Sequence, residues 1–354
     1  MAEIVENSPE KQPSLKAGYK RLCIRLGLMI IVIFASRGIS SIVLSLIQPS
    51  LANLGTTGAY LVQTAFSLVF LYFIPMIITA LLLKTPVREM NKNIYKKPKY
   101  FGSALGMFPA IYSLAIIVNL LTMWITSFFK NINFNDSFNT VNELSAPNFI
   151  CGIVLFVQMV VIAPLFEEFW FRGMVLESLR PYGNGVAIFI SAFLFGLTHA
   201  NFAQFFYATF MGIFLGYIAV STKSVVTTTI LHAIFNSFTA TTLLLLTNTS
   251  VQEFLSLALR GITGEFTPAV VIYLAVVCVM LLTAAVGLVM ACFKLAKIKK
   301  YKVPVVQEEL SAKKRWAIFF TAATVIIGLV LAADCFTIRF IPTQIYKILN
   351  NIWR

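Results

Sequence analysis

Charge is scarce in this chain. Of its 354 residues only 12% are Asp, Glu, Lys or Arg, the acidic residues number 14, and histidine occurs twice. Residues of the AVILMFWYC set make up 58%, and the mean hydropathy is +0.84. Such a chain has too little polar surface to cover a soluble globule, so lipid is the solvent for most of it. There is no CxxC pair. Cys23, Cys151, Cys278, Cys292 and Cys335 are scattered, mostly through apolar runs, which supports neither a disulfide framework nor a metal knuckle and reads as small buried hydrophobes. No aromatic-basic recognition motif accompanies the net charge of +14, so no nucleic-acid partner is expected. An internal repeat, the mark of many transporters, is missing as well. The first 24 residues are polar and charged and lead into an apolar run long enough to span, so no secretory signal peptide is expected; neither end carries a lipidation signature.

What is present is a series of apolar runs. About 20 residues of helix cross a hydrocarbon core of ~30 Å. On that rule about nine spans are expected, near 26–47, 59–83, 101–128, 149–178, 185–202, 204–222, 224–247, 268–293 and 315–338. The fold class is therefore all-α, a polytopic transmembrane helix bundle of 8–9 spans. The fifth and sixth runs have almost nothing between them and predict a tight helical hairpin. Pro75, Pro109 and Pro164 fall inside spans, where proline marks a kink. The chain divides into an N-terminal segment 1–25, N-terminal spans 26–128, a core 149–247, and C-terminal spans with a tail, 268–354. Lys and Arg cluster before the first span, between the second and third, and between the eighth and ninth; Arg180 and Lys223 follow the fourth and sixth. The opposite loops hold only Lys130 and Arg260. This asymmetry predicts a cytoplasmic N-terminus. Arg339, Lys347 and Arg354 then lie on the wrong side, which makes the ninth span the weakest.

Ionisable groups at membrane depth are costly and mostly functional. Here they are Arg37, Glu167, Glu168, Arg172, Glu177 and Asp334, together with His199 and His232. Glu168 and Arg172 are four apart with the acid first, the favourable order on one helix face, so Arg172 can hold Glu168 as a carboxylate. Glu167 sits about 100° around the helix and points elsewhere, without a partner on its own helix. Burial disfavours the charged form of such a carboxylate, which suits a general base working near neutral pH. Phe195 and His199 share one face of the fifth run, and His232 and Asn236 share one face of the seventh. Counted from the basic side, Glu167 lies about 20 Å deep, His199 about 21 Å and His232 about 14 Å. Three helices thus bring polar groups to similar depth. Arg37 and Asp334 fall outside this constellation and read as structural or pore-facing, while Glu177 reads as solvated or paired with Arg180.

The order EExxxR, FxxxH, HxxxN, here Glu167-Glu168-Phe169-Trp170-Phe171-Arg172, Phe195 to His199 and His232 to Asn236, resembles the CAAX protease and bacteriocin-processing (CPBP, or Abi) family, relatives of the type II CAAX prenyl endopeptidases. The resemblance covers residues 149–247. It implies an intramembrane endopeptidase whose site opens toward the cytoplasm. It implies that Glu167 activates water with help from His199, that His232 and Asn236 bind the oxyanion, and that Glu168 and Arg172 organise the site. No serine or cysteine nucleophile motif accompanies the histidines, so an acyl-enzyme is not expected.

A zinc-dependent variant would use Glu167, His199 and His232 as ligands. The commitment of Glu168 to Arg172 and the absence of HExxH favour a reaction without a cofactor. A transporter, or an immunity factor acting by binding, is the non-enzymatic alternative. The expected partners are the lipid bilayer and a peptide or membrane-protein substrate. A composition rich in Lys, Ile and Phe suggests a bacterial plasma membrane. There, peptide or bacteriocin processing, or self-immunity, fits the relatives better than a prenylated substrate.

Overall fold

The computed structural model describes residues 14–84, 101–128, 146–295 and 310–337. Every regular element among the described residues is helical. In hydrocarbon each backbone N–H and C=O needs a partner, and a helix supplies it within its own segment. Helix α1 (Leu15–Leu51) starts at Ser14, whose hydroxyl accepts from the Ala17 N–H. The chain reverses through Ala52–Leu54 and Gly55, which takes φ +65°. It returns as α2 (Gly55–Leu68) and α3 (Ile74–Leu83), joined by a π-helical turn at Val69–Phe73. Gln63 bonds to Gln48 and Ser36 to the Phe70 carbonyl, so the two arms run antiparallel. The apolar stretch Leu15–Leu83, 69 residues, is therefore two crossings rather than one.

A short turn, Phe101–Leu105, precedes α4 (Phe108–Ser127). The fourth crossing is assembled from α5 (Phe149–Val157), a π turn at Gln158–Ile162, α6 (Ala163–Glu168) and a longer π segment, Phe169–Leu176. Then come α7 (Asn184–Leu197), α8 (Phe202–Thr222), α9 (Val225–Leu245), α10 (Thr249–Leu259), α11 (Pro268–Leu295), α12 (Ala312–Phe320) and α13 (Ala323–Thr337). Among the described residues six helical runs are long and apolar enough to cross a membrane, or seven with the bent pair α12–α13. Counting the folded-back first run as two gives seven, or eight with the bent pair, against the 8–9 expected. The chain is a multi-pass membrane protein.

Four expectations change. The fifth predicted span is a helix of only 14 residues, about 21 Å, too short to cross. It stops at Leu197, and His199 lies in the turn beyond it rather than on a helix. The ninth span is bent by 64° at the α12–α13 break. Pro109 starts α4 instead of kinking it, at a position where a helix has no use for the N–H. Cys23 and Cys151 are buried as expected, but Cys278 and Cys292 are exposed because α11 lies at the bundle edge and turns most of its surface to lipid. The side chains of Asp334 and Cys335 and the tail arginines and lysine, Arg339, Lys347 and Arg354, lie outside the described residues.

Two ends of the bundle can be told apart. At one, the Tyr19 ring lies tilted 4.9 Å from that of Tyr182, and Arg315 donates to the Tyr182 carbonyl. This is the basic end, where Lys20, Arg21, Arg180 and Arg315 lie. At the other, Asn148 caps α5 through its carboxamide oxygen and donates to the Thr57 hydroxyl at 2.9 Å, which ties the start of the fourth crossing to the start of α2. Helices α7 and α8 form the expected hairpin, with its tip at Thr198–Asn201. Their contact is close enough that a Cβ on Gly196 would press on the Thr209 hydroxyl and lie 2.8 Å from the Phe205 carbonyl. We expect Gly196→Val to lower the thermal midpoint of purified protein, at a cost of about 1–3 kcal/mol for overpacking. Gly102→Ala, into open space, should leave it unchanged.

Candidate active site

Two prolines prepare the site by what they lack. In the π turn at Gln158–Ile162 the Ala163 N–H reaches back to Gln158. The Met159 carbonyl would then be served by residue 164, but Pro164 has no N–H. Asn236, from α9, donates its Nδ2 to that carbonyl at 2.9 Å. The first hairpin repeats the device. The Ile74 N–H reaches Val69, Pro75 cannot serve Phe70, and the Ser36 hydroxyl donates to the Phe70 carbonyl. Single π turns inside helices are frequent at functional sites. Here one of them presents Tyr72 and the other adjoins Glu167.

Glu168 and Arg172 are buried completely. Arg172 Nη1 lies 2.9 Å from Glu168 Oε1, the ion pair expected from their spacing. Arg172 Nη2 donates to the Gly212 carbonyl on α8 at 3.3 Å, and its guanidinium lies 4.6 Å above the Phe195 ring. His232 Nδ1 meets the same Glu168 oxygen at 2.9 Å. A carboxylate held by an arginine only accepts, so Nδ1 carries a proton and Nε2 is left for other work. Phe195 stands edge-on to both imidazoles, 5.1 Å from His199 and 5.7 Å from His232. The phenylalanine of FxxxH is thus the wall that spaces the two histidines.

Glu167 points away from this pair, as its helix angle requires. Tyr72 donates to its Oε1 at 3.0 Å, and its Oε2 lies 3.7 Å from His232 Nε2. That gap is too long for a hydrogen bond and leaves Oε2 uncommitted. His199 is fixed from three directions. Its Nδ1 faces the Phe195 carbonyl at 3.1 Å, Asn201 donates to its carbonyl, and Arg37 donates to the adjacent Thr198 carbonyl at 2.6 Å. A carbonyl only accepts, so His199 carries its proton on Nδ1 and offers an Nε2 lone pair. Two adjoining cavities, about 390 and 160 Å³, meet at Glu167 and His199; Arg37 lines the larger, and His232 and Asn236 the smaller.

All six residues expected from the motifs therefore lie at one locus. Sequence reasoning missed Tyr72 and left Arg37 out of the constellation; the only signal for either was a polar side chain on an apolar span. Glu177 pairs with Arg180 at 2.8 Å, as expected. The zinc set fares differently. Among the described residues no three His, Cys, Asp or Glu side chains are grouped to hold a metal ion. Glu168 and His232 Nδ1 are engaged with each other. Glu167, His199 and His232 form no such group as they stand.

The proline device makes a thermodynamic prediction. Asn236→Ala orphans a carbonyl and should cost about 1–3 kcal/mol of stability. In a Pro164→Ala background, where an N–H is restored near Met159, the same change should cost less. Thermal denaturation of the four proteins in detergent measures this coupling.

A sequence model of the family described as "Type II CAAX prenyl endopeptidase Rce1-like" matches residues 149–238. No curated protein and no solved structure matches the chain. The matched stretch runs from the first residue of α5 to two residues beyond Asn236, and so contains Glu167, Glu168, Arg172, His199, His232 and Asn236. By that match, the part of this chain that carries the site is similar to the Rce1-like type II CAAX prenyl endopeptidases.

Proposed function

We propose that this protein is an intramembrane endopeptidase that hydrolyses peptide bonds with a glutamate-activated water. The observation that supports this best is the state of Glu167. One carboxylate oxygen is held by Tyr72 and the other faces a cavity across from His232. A water at Oε2 can give its proton to Glu167 while the His199 Nε2 lone pair accepts its second hydrogen. The resulting hydroxide attacks the scissile carbonyl. Charge then develops on the carbonyl oxygen, where the largest electrostatic gain is available. His232, held at Nδ1 by the Glu168 carboxylate, presents its Nε2 to that oxygen. Asn236 spends one N–H on Met159 and keeps the second for the oxyanion. Glu167 finally returns its proton to the leaving amine, and the C–N bond breaks. No step requires a metal.

In this reading Glu168 and Arg172 are positioning residues. They orient His232 and do not touch the peptide. The substrate is a peptide or a membrane protein presented at the bilayer, and peptide or bacteriocin processing or self-immunity is the role we favour. The cell membrane of a bacterium is the setting that fits.

Glu167→Gln keeps the size of the side chain and removes the base. It should lower cleavage by about 10²–10⁴-fold. Mass spectrometry of cleavage sites in membranes with the native protein and with Glu167→Gln tests this; full cellular activity in the variant at equal protein level would end the proteolytic reading. Tyr72→Phe removes only the clamp on Oε1. It should lower turnover less than Glu167→Gln does, without loss of folded protein, as read by parallel turnover and thermal-shift measurements.

A further inference from the structure

The larger cavity is not centred on Glu167; it runs from Glu167 toward one end of the bundle. On the returning arm of the first hairpin it is lined from Tyr60 to Tyr72, and on the fourth crossing from Leu155 to Phe171. Tyr60 is five residues from the Gly55 turn and Leu155 is six from the start of α5, each less than about 10 Å along its helix. These are the two termini that Asn148 and Thr57 tie together. The lining there is polar in a part of the chain that is otherwise apolar. Gln63, Thr64 and Ser67 from α2 face Gln158, Asn201 and Gln204.

The opposite route is closed. On α1 no residue before Arg37 lines the cavity, and on the fourth crossing none after Phe171 does. Between Glu167 and the basic end stand Tyr19, Cys23, Leu26, Met174, Leu176 and Leu179, packed into one cluster and fully buried. A peptide chain needs hydrogen-bond partners along its path, and such a plug offers few.

We propose that water and substrate reach the site from the end of the bundle that carries Gly55 and Asn148, opposite the basic loops. Clustered Lys and Arg favour the cytoplasm. The entrance then lies on the extracytoplasmic side, where the family resemblance implies a cytoplasmic one. The chemistry of the path defines what it takes. Carboxamides and hydroxyls both donate and accept, as a peptide backbone does, so the occupant is an extended polar peptide segment. That second half rests on the proteolytic reading; the sidedness does not.

Single-cysteine variants test the sidedness. In a chain whose native cysteines are replaced by alanine, Thr64→Cys and Ser67→Cys each line the entrance, and Lys20→Cys marks the basic end. Intact cells are treated with a small membrane-impermeant cationic thiosulfonate, and labelling is read before and after permeabilisation on protein that remains inserted and monodisperse when purified. Thr64→Cys and Ser67→Cys should label equally in both conditions, and Lys20→Cys only after permeabilisation. Labelling of the two entrance positions only after permeabilisation, or in neither condition, overturns the proposal; either variant suffices if the other does not insert. Glu167→Gln in the same background separates the two readings. Labelling from outside with cleavage unaffected by Glu167→Gln would leave the entrance standing and remove the protease.

Discussion

One carboxylate oxygen organises the site. Glu168 Oε1 receives the Arg172 guanidinium and the His232 ring nitrogen, each at 2.9 Å, in complete burial. Taking these charges out of water is expensive, and breaking such a group is worse than never having built it. The surroundings give Arg172 further partners. The Gly212 carbonyl takes one N–H and the Phe195 ring lies beneath the guanidinium plane. Those partners come from the α7–α8 hairpin, and His232 comes from α9. Three packed elements are thereby referred to a single oxygen, and the orientation of His232 toward Glu167 follows from it.

A second constraint comes from groups that are missing. Proline removes a backbone donor, and in lipid the orphaned carbonyl must find another. At Pro75 the donor is Ser36; at Pro164 it is Asn236. Each repair fastens one helix to another beside the site. The distortion that would weaken an isolated helix becomes a contact that positions Tyr72 in one case and the Asn236 carboxamide in the other. Asn236 thus has a structural duty as well as the proposed chemical one, and stability and activity at this position are coupled.

These two constraints divide the interior. Toward the basic end the packing is dry and close, with Tyr19, Met174 and Leu179 fully buried. Toward the other end the helices part around a polar cavity. The proposed hydrolysis needs both: rigidity behind the reacting groups to hold their geometry, and a wet path in front of them, since it consumes water.

How much of this could be read from the residues alone follows the range of the interactions. The crossings, the ion pair at Glu168 and Arg172 and the divergence of Glu167 from it depend on spacings of a few residues along one helix. Periodicity and hydropathy therefore determined them, and counting depth along each span brought Glu167, His199 and His232 to one level. The short α7 escaped because apolar composition does not say where a helix stops; Ala200 in a left-handed conformation and Asn201 as the next cap end it and put His199 in a turn. Tyr72 and Arg37 escaped for a different reason. Their bonds join residues 95 and 161 positions apart in the chain, and no local pattern records which distant span will lie alongside. The side from which the cavity opens was likewise decided only by how the helices pack, because a polar stripe on one helix becomes a path only when its neighbours leave room for water beside it.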